Sequence, residues 1–92
     1  MQTDTFDSTT WKAQRGASAL DNKRGGMVSE LERSVRVGMT RAEVIALLGE
    51  PDMGQQTESE KYLLGLAFGP DEQYYEIRYR EGKVESLRLG QF

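Results

Sequence analysis

The spacing of apolar positions along this chain changes from a helical period to a strand period. The helical signal is clearest between Gly38 and Asp52. Val44, Leu47 and Leu48 form one apolar stripe, with Ile45 on its edge. Thr40 is suited to cap the helix, and Glu43, three residues on, can complete a capping box. Met39 and Val44 can close a hydrophobic staple. Gly49 suits the left-handed end, and Pro51 blocks continuation. A helix this short is unstable alone, so it must dock on a platform.

Upstream, Met27, Leu31 and Val35 lie four apart, with Val28 beside them. This predicts a helix that starts near Asp21 or Asn22, either of which can cap it. Gly25 and Gly26 weaken its first turn by about 1 kcal/mol each relative to Ala, so it is firm only from Gly26 onward. Glu30, Glu32, Arg33 and Arg36 read as its solvated face. Val37-Gly38 leads directly into the capped helix, so the two helices form a hairpin or a corner. Residues 1–20 read as a flexible N-terminal segment, because polar residues dominate without a period. Within it, Asp7 can cap a short turn running through Trp11 to Gln14, ended by Gly16. Trp11 is the chain's single Trp and is expected against the core edge, with a surface binding role as the alternative.

Downstream, residues 53–60 read as a mobile loop and Lys61–Leu66 as a partly buried strand. Gly69-Pro70 marks a turn. Gln73 to Arg80 then alternates, with Tyr75, Ile77 and Tyr79 on one face and Tyr74, Glu76, Arg78 and Arg80 on the other. Glu81-Gly82 suits a tight turn into a last strand, Lys83–Leu89. A two-residue turn pairs Tyr79 with Val84, which would point Leu87 and Leu89 away from the core. A bulge near Glu85 or Ser86 is therefore predicted, returning both leucines to the core face. The order predicts a two-layer α+β sandwich over residues 21–92: two helices, then a three-stranded antiparallel meander with its first and third strands at the edges.

Composition narrows the chemistry. The chain has 92 residues, 37% hydrophobic and 29% charged, enough for one modest core. No apolar run approaches the roughly 18 residues of a membrane helix. The net charge of −3 argues against a generic electrostatic hold on nucleic acid, while leaving room for a local basic face. Neither Cys nor His occurs, which removes thiol nucleophiles, most zinc sites and the usual general base near neutral pH. Asp71-Glu72 and Glu58-Ser59-Glu60 lack calcium-loop spacing and read as solvated loop charge. The serines have no His partner, and the glycine pairs no P-loop context. No metal or cofactor is expected. The remaining candidate is the polar face of the hairpin, where Tyr74, Arg78, Arg80 and Arg88 combine residue types that anchor interfaces. The plainer reading of that face is a solvated sheet surface with ordinary cross-strand pairs, such as Glu76 with an Arg.

The block Gly38-Met39-Thr40, Glu43-Val44, Leu47-Leu48-Gly49 and Pro51-Asp52 resembles the SmpA/OmlA (BamE-like) domain of bacterial outer-membrane assembly lipoproteins. Tyr62-Leu63-Leu64-Gly65, Ile77-Arg78-Tyr79 and Gly82-Lys83-Val84 extend the resemblance across roughly residues 25–90. It implies an ααβββ fold, similar to that of β-lactamase inhibitor proteins. It also implies a non-catalytic module that binds envelope proteins, not nucleic acid, at the periplasmic face of the outer membrane. A lipid anchor outside this chain would tether it there; without one, the cytoplasm is the expected location. A protein inhibitor or regulatory domain using its sheet face is the alternative, and an enzyme working with carboxylates alone is a distant third.

Overall fold

The computed structural model describes residues 6–18, 20–54, 58–66 and 71–91. Three short helices precede an antiparallel sheet: α1 (Ser8–Ala13), α2 (Val28–Ser34) and α3 (Arg41–Leu48), then β1 (Ser59–Leu66), β2 (Glu72–Arg80) and β3 (Lys83–Gln91). The strands lie in the order β1-β2-β3, so this is an α+β fold with a three-stranded meander. The core joins Leu31, Val35, Val44 and Leu48 from the helices and their flanks to Tyr62, Leu64, Tyr75, Ile77, Tyr79 and Val84 from the strands. No helix among the described residues is long and apolar enough to cross a membrane.

Helix α3 forms as its end signals dictate. Thr40 Oγ1 accepts from the Glu43 N–H at 3.2 Å, and the Thr40 N–H donates to Glu43 Oε1 at 2.9 Å. Gly49 ends the helix at φ 74°, its N–H donating to the Ile45 carbonyl at 2.8 Å. The helix ahead is shorter than the apolar spacing predicts. Arg24–Met27 winds as a 3₁₀ turn before α2 begins. The backbone at Gly25 comes close to β1: a Cβ there would lie 3.2 Å from the Leu64 carbonyl oxygen. Neither candidate cap takes the N-cap position: Lys23 precedes the 3₁₀ turn and Met27 precedes α2, neither with a side-chain cap bond, while Asn22 Oδ1 accepts from the Arg24 N–H at 2.9 Å.

The expectation of a flexible segment over residues 1–20 fails for residues 6–18. Asp7 does cap a short helix, accepting from the Thr10 N–H at 3.0 Å, and Gly16 turns the chain at φ 83°. That helix, α1, is docked on α3. The Ser8 hydroxyl donates to the Leu47 carbonyl, and Lys12 Nζ donates to the Ala46 carbonyl at 2.8 Å. Both satisfy carbonyls that the end of α3 leaves without helical partners. Phe6 and Trp11 are core residues, their rings 5.5 Å apart, and Trp11 also meets Tyr62 at 5.9 Å. Trp11 therefore lies deeper than the expected core edge, and the surface role is overturned.

Arg24 is fully buried against this aromatic group. Its guanidinium carbon lies 4.7 Å from the Trp11 ring centroid. Nε donates to the Trp11 carbonyl at 3.0 Å, and Nη1 pairs with Asp52 Oδ2 at 3.0 Å. Asp52 Oδ2 also accepts from the Leu63 N–H of β1 at 2.9 Å. Burial pushes the pKa of Arg24 down, and the Asp52 carboxylate opposes that shift.

The sheet carries the predicted irregularity. Tyr79 pairs with Val84 but Arg78 pairs with Ser86, so Glu85 is the extra residue of a bulge. Ile77 then faces Leu87 and Tyr75 faces Leu89, which restores both leucines to the core side. Leu87 packs on the core, whereas Leu89 stays 47% exposed. The hairpin turn uses positive φ at both Glu81 (55°) and Gly82 (79°), the geometry of a type I′ turn. In β1, Leu64 is a second bulge residue, between Leu63 opposite Tyr74 and Gly65 opposite Gln73. Strand β1 starts two residues earlier than the expected Lys61, and Met53 bridges to Lys61, so both ends of the expected 53–60 loop are ordered into sheet contacts. Residues 55–57 and the expected Gly69-Pro70 turn lie outside the described residues.

Removing the half-buried Asp52 from its pair with the buried Arg24 should expose the cost of that charge. Asp52→Ala leaves Arg24 uncompensated and takes the acceptor from Leu63, so it should destabilise the fold by about 3–5 kcal/mol in urea unfolding. Arg24→Met combined with Asp52→Leu should cost less than Asp52→Ala alone; a larger cost would show that the pair itself contributes net stability.

Candidate functional site

Strand alternation builds the candidate surface. With Tyr75, Ile77 and Tyr79 turned to the core, Tyr74, Glu76, Arg78 and Arg80 point to the opposite face of the sheet. The register adds neighbours from both flanking strands. Ser59, Lys61 and Leu63 of β1 lie opposite Arg78, Glu76 and Tyr74. Lys83, Ser86, Arg88 and Gly90 of β3 lie opposite Arg80, Arg78, Glu76 and Tyr74. All four residues singled out from the sequence, Tyr74, Arg78, Arg80 and Arg88, thus share one open face.

The centre of that face is Glu76, only 5% exposed. It accepts a short hydrogen bond from the Ser59 hydroxyl and pairs with Arg88 Nη2 at 3.0 Å. The Ser59 bond first, then the charges of Arg88, Lys61 and Arg78, hold the Glu76 carboxyl below its ordinary pKa despite partial desolvation. Glu76 is therefore an ionised organising group, and nothing about it suits a general acid or base at neutral pH. Lys61 Nζ lies 5.4 Å from the centroid of the Tyr74 ring. That ring in turn lies across Gly90, where a Cβ would come within 2.4 Å of Tyr74 Cζ. The small residue opposite Tyr74 lets the ring lie flat on the sheet.

The outer cations are less committed. Arg80 Nη1 approaches Glu85 Oε2 only to 3.9 Å, with both side chains exposed. Among the described residues Arg78 and Lys83 form no ion pair. The face is consequently basic on a chain whose net charge is −3. It can hold carboxylates and backbone carbonyls of a partner, and Tyr74 offers an aromatic surface beside them.

One carboxylate of the Glu58-Ser59-Glu60 group lies where the sequence did not predict it. Glu60 is not solvated loop charge. It is fully buried on the core side of β1, bound by Arg41 at 2.6 Å (Nη2 to Oε2). Strand β1 begins at Ser59, so alternation turns Glu60 inward and Arg41 follows it. Asp71 lies at the other end of the sheet, with Gln91 Nε2 3.5 Å from its carboxylate. Among the described residues no cluster of three or more His, Cys, Asp or Glu side chains could hold a metal ion. Lys61 and Gly90 joined the face without being singled out in the sequence. Their place depends on which residues sit opposite Glu76 and Tyr74, and that register becomes legible only once both bulges are known.

No protein-family model matches the chain, and no curated protein matches it significantly.

The pH behaviour of Glu76 follows from the sign of its shift. A folded pKa below the ordinary 4.5 adds stability that is present above that value and lost as pH falls through the folded pKa. Glu76→Gln should therefore cost about 1–2 kcal/mol at pH 7, with the gap to wild type narrowing steadily below pH 4.5. Chemical denaturation at neutral and acid pH tests this, and an equal deficit at both would refute it.

Proposed function

We propose that this chain is a non-catalytic protein-interaction module of the SmpA/OmlA kind. It engages a protein partner through the open sheet face. The observation that carries the reading is the convergence of Tyr74, Arg78, Arg80 and Arg88 on one basic surface, left uncovered by the described residues, of an otherwise acidic chain. The capped helix after Gly38, with Pro51-Asp52 behind it, supports the family assignment, as does the run α2-α3-β1-β2-β3. In that reading the ααβββ unit is the family domain, and α1 is an added clip on its helical side. The module is then the water-exposed part of a bacterial envelope lipoprotein. It is held at the periplasmic face of the outer membrane by an anchor outside this chain, and it works with envelope assembly proteins. A second reading, an inhibitor or regulatory domain docking on a soluble enzyme, draws on the same exposed cations.

The double variant Arg78→Glu with Arg80→Glu tests the face. Both side chains are exposed, so stability should stay within about 0.5–1 kcal/mol of wild type. Capture of partners from cells by the tagged full-length protein should fall at least tenfold. Undiminished capture would rule out this surface. Recovery of a single soluble enzyme in one-to-one stoichiometry would replace the envelope reading with the inhibitor reading.

A further inference from the structure

The sheet has two edges, and they are treated differently. Along the middle of β1 the outward backbone groups, those of Lys61 and Leu63, are occupied. The Lys61 N–H donates to the Met53 carbonyl at 2.9 Å, and the Lys61 carbonyl accepts from Asp52 and Met53 at 3.0 and 3.1 Å. The Leu63 N–H donates to Asp52 Oδ2 and the Leu63 carbonyl accepts from Asn22 Nδ2, both at 2.9 Å. The first half of β3 is covered as well. The Val84 N–H donates to the Met39 carbonyl at 2.7 Å, and the Val84 carbonyl accepts from the Gly38 N–H at 2.9 Å.

Beyond the Glu85 bulge this cover stops. Val84 turns its backbone groups away from β2. Counting on through the bulge, the residues that do so next are Leu87, Leu89 and Gln91. No described residue outside the sheet bonds to their backbone groups. Leu89 also leaves 47% of its surface exposed on the core side of this edge. An uncovered strand end carrying an exposed leucine is a template for another strand.

We propose that this edge pairs with the same edge of a second copy of the chain. The strands run antiparallel about a two-fold axis at Leu89, and two three-stranded sheets become one of six. The segment is complementary to itself in that register. Leu89 meets Leu89 of the second copy, so the exposed apolar surfaces cover each other. Leu87 faces Gln91, and Arg88 faces Gly90, so no like charges stand directly opposite. Gly90 presents no side chain, and the Tyr74 ring lies across it, so the incoming Arg88 guanidinium meets an aromatic surface. The register centred on Leu87 would instead set Leu89 against Glu85 and drive the second copy into the 38–40 segment that covers Val84. A single strand pair makes a small interface, so the dimer is weak and concentration-dependent. This pairing does not depend on the reading of the open face.

The test is sedimentation velocity on the full chain up to about 1 mM, a range that reaches weak dimers. Leu89→Pro removes an N–H aimed at the second copy and not used by β2, a position where an edge strand tolerates Pro. Leu89→Lys places two like charges on the axis without touching the backbone. The wild type should dimerise reversibly, and each variant should weaken the dimer at least tenfold with an unchanged far-ultraviolet spectrum. Should Leu89→Pro misfold, Leu89→Lys carries the comparison. Leu89→Cys gives an independent readout in a chain without cysteine. Directly opposed, hydrogen-bonded strand residues have Cα atoms about 5.5 Å apart, within disulfide range, so oxidation should yield a covalent dimer. A wild type that stays monomeric across the range overturns the proposal, as does a dimer that withstands both Leu89 substitutions and does not cross-link at position 89.

Discussion

An arginine with no exposed surface lies between the helices and the sheet, and the packing around it depends on how its charge is met. A guanidinium in a protein interior is tolerated only where carboxylates, carbonyls and ring faces replace its water. Arg24 gathers all of these: the Asp52 carboxylate, the Trp11 carbonyl, and the faces of Trp11 and Tyr62. Each comes from a different part of the chain. Trp11 is on α1, Asp52 follows α3, and Tyr62 is on β1. One buried charge therefore ties the N-terminal helix, the end of α3 and the first strand together. Asp52 serves a second purpose, because its oxygen also accepts from Leu63 and so closes part of the β1 edge.

The same centre explains why the open face is open. The described helices pack on the side of Trp11, Tyr62 and Tyr75, so among the described residues no layer buries the other side of the three-stranded sheet. Its side chains must be stable in water and stable beside one another. Glu76 meets that requirement by sitting among Ser59, Lys61 and Arg88. The Glu85 bulge is what allows one strand to serve both faces. Without it Arg88 would turn into the core and Leu87 would turn out to solvent. The bulge also separates the covered half of β3 from the uncovered half.

Much of this was legible in the residues. The capping box of α3, its glycine end, the alternation of β2 and the Glu81-Gly82 turn are local signals, each contained within a few positions. The bulge was legible too, because a mismatch of parity between Tyr79, Val84 and Leu87 leaves a bulge as the way to bury Leu87. The four-residue face of Tyr74, Arg78, Arg80 and Arg88 followed from that same parity. What escaped were contacts between distant positions. The segment around Trp11 has tail-like composition, and its place in the core depends on partners elsewhere in the chain: Arg24, Tyr62 and the carbonyls at the end of α3. Glu60 looked like loop charge because its strand begins at Ser59, inside a run of polar residues.

The sequence by itself determined the helix ends, the strand periods and the slip that forces the bulge, since these depend on backbone preferences and on spacing within one element. Tertiary structure decided which polar residues are buried, which strand edge is covered and which residues join the open face. Those outcomes depend on pairings between separate elements, such as Ser59 with Glu76, 17 positions apart, and Asn22 with Leu63, 41 apart. A charged or polar residue takes the interior only when a specific partner arrives there with it, and the partner's arrival is a property of the whole fold.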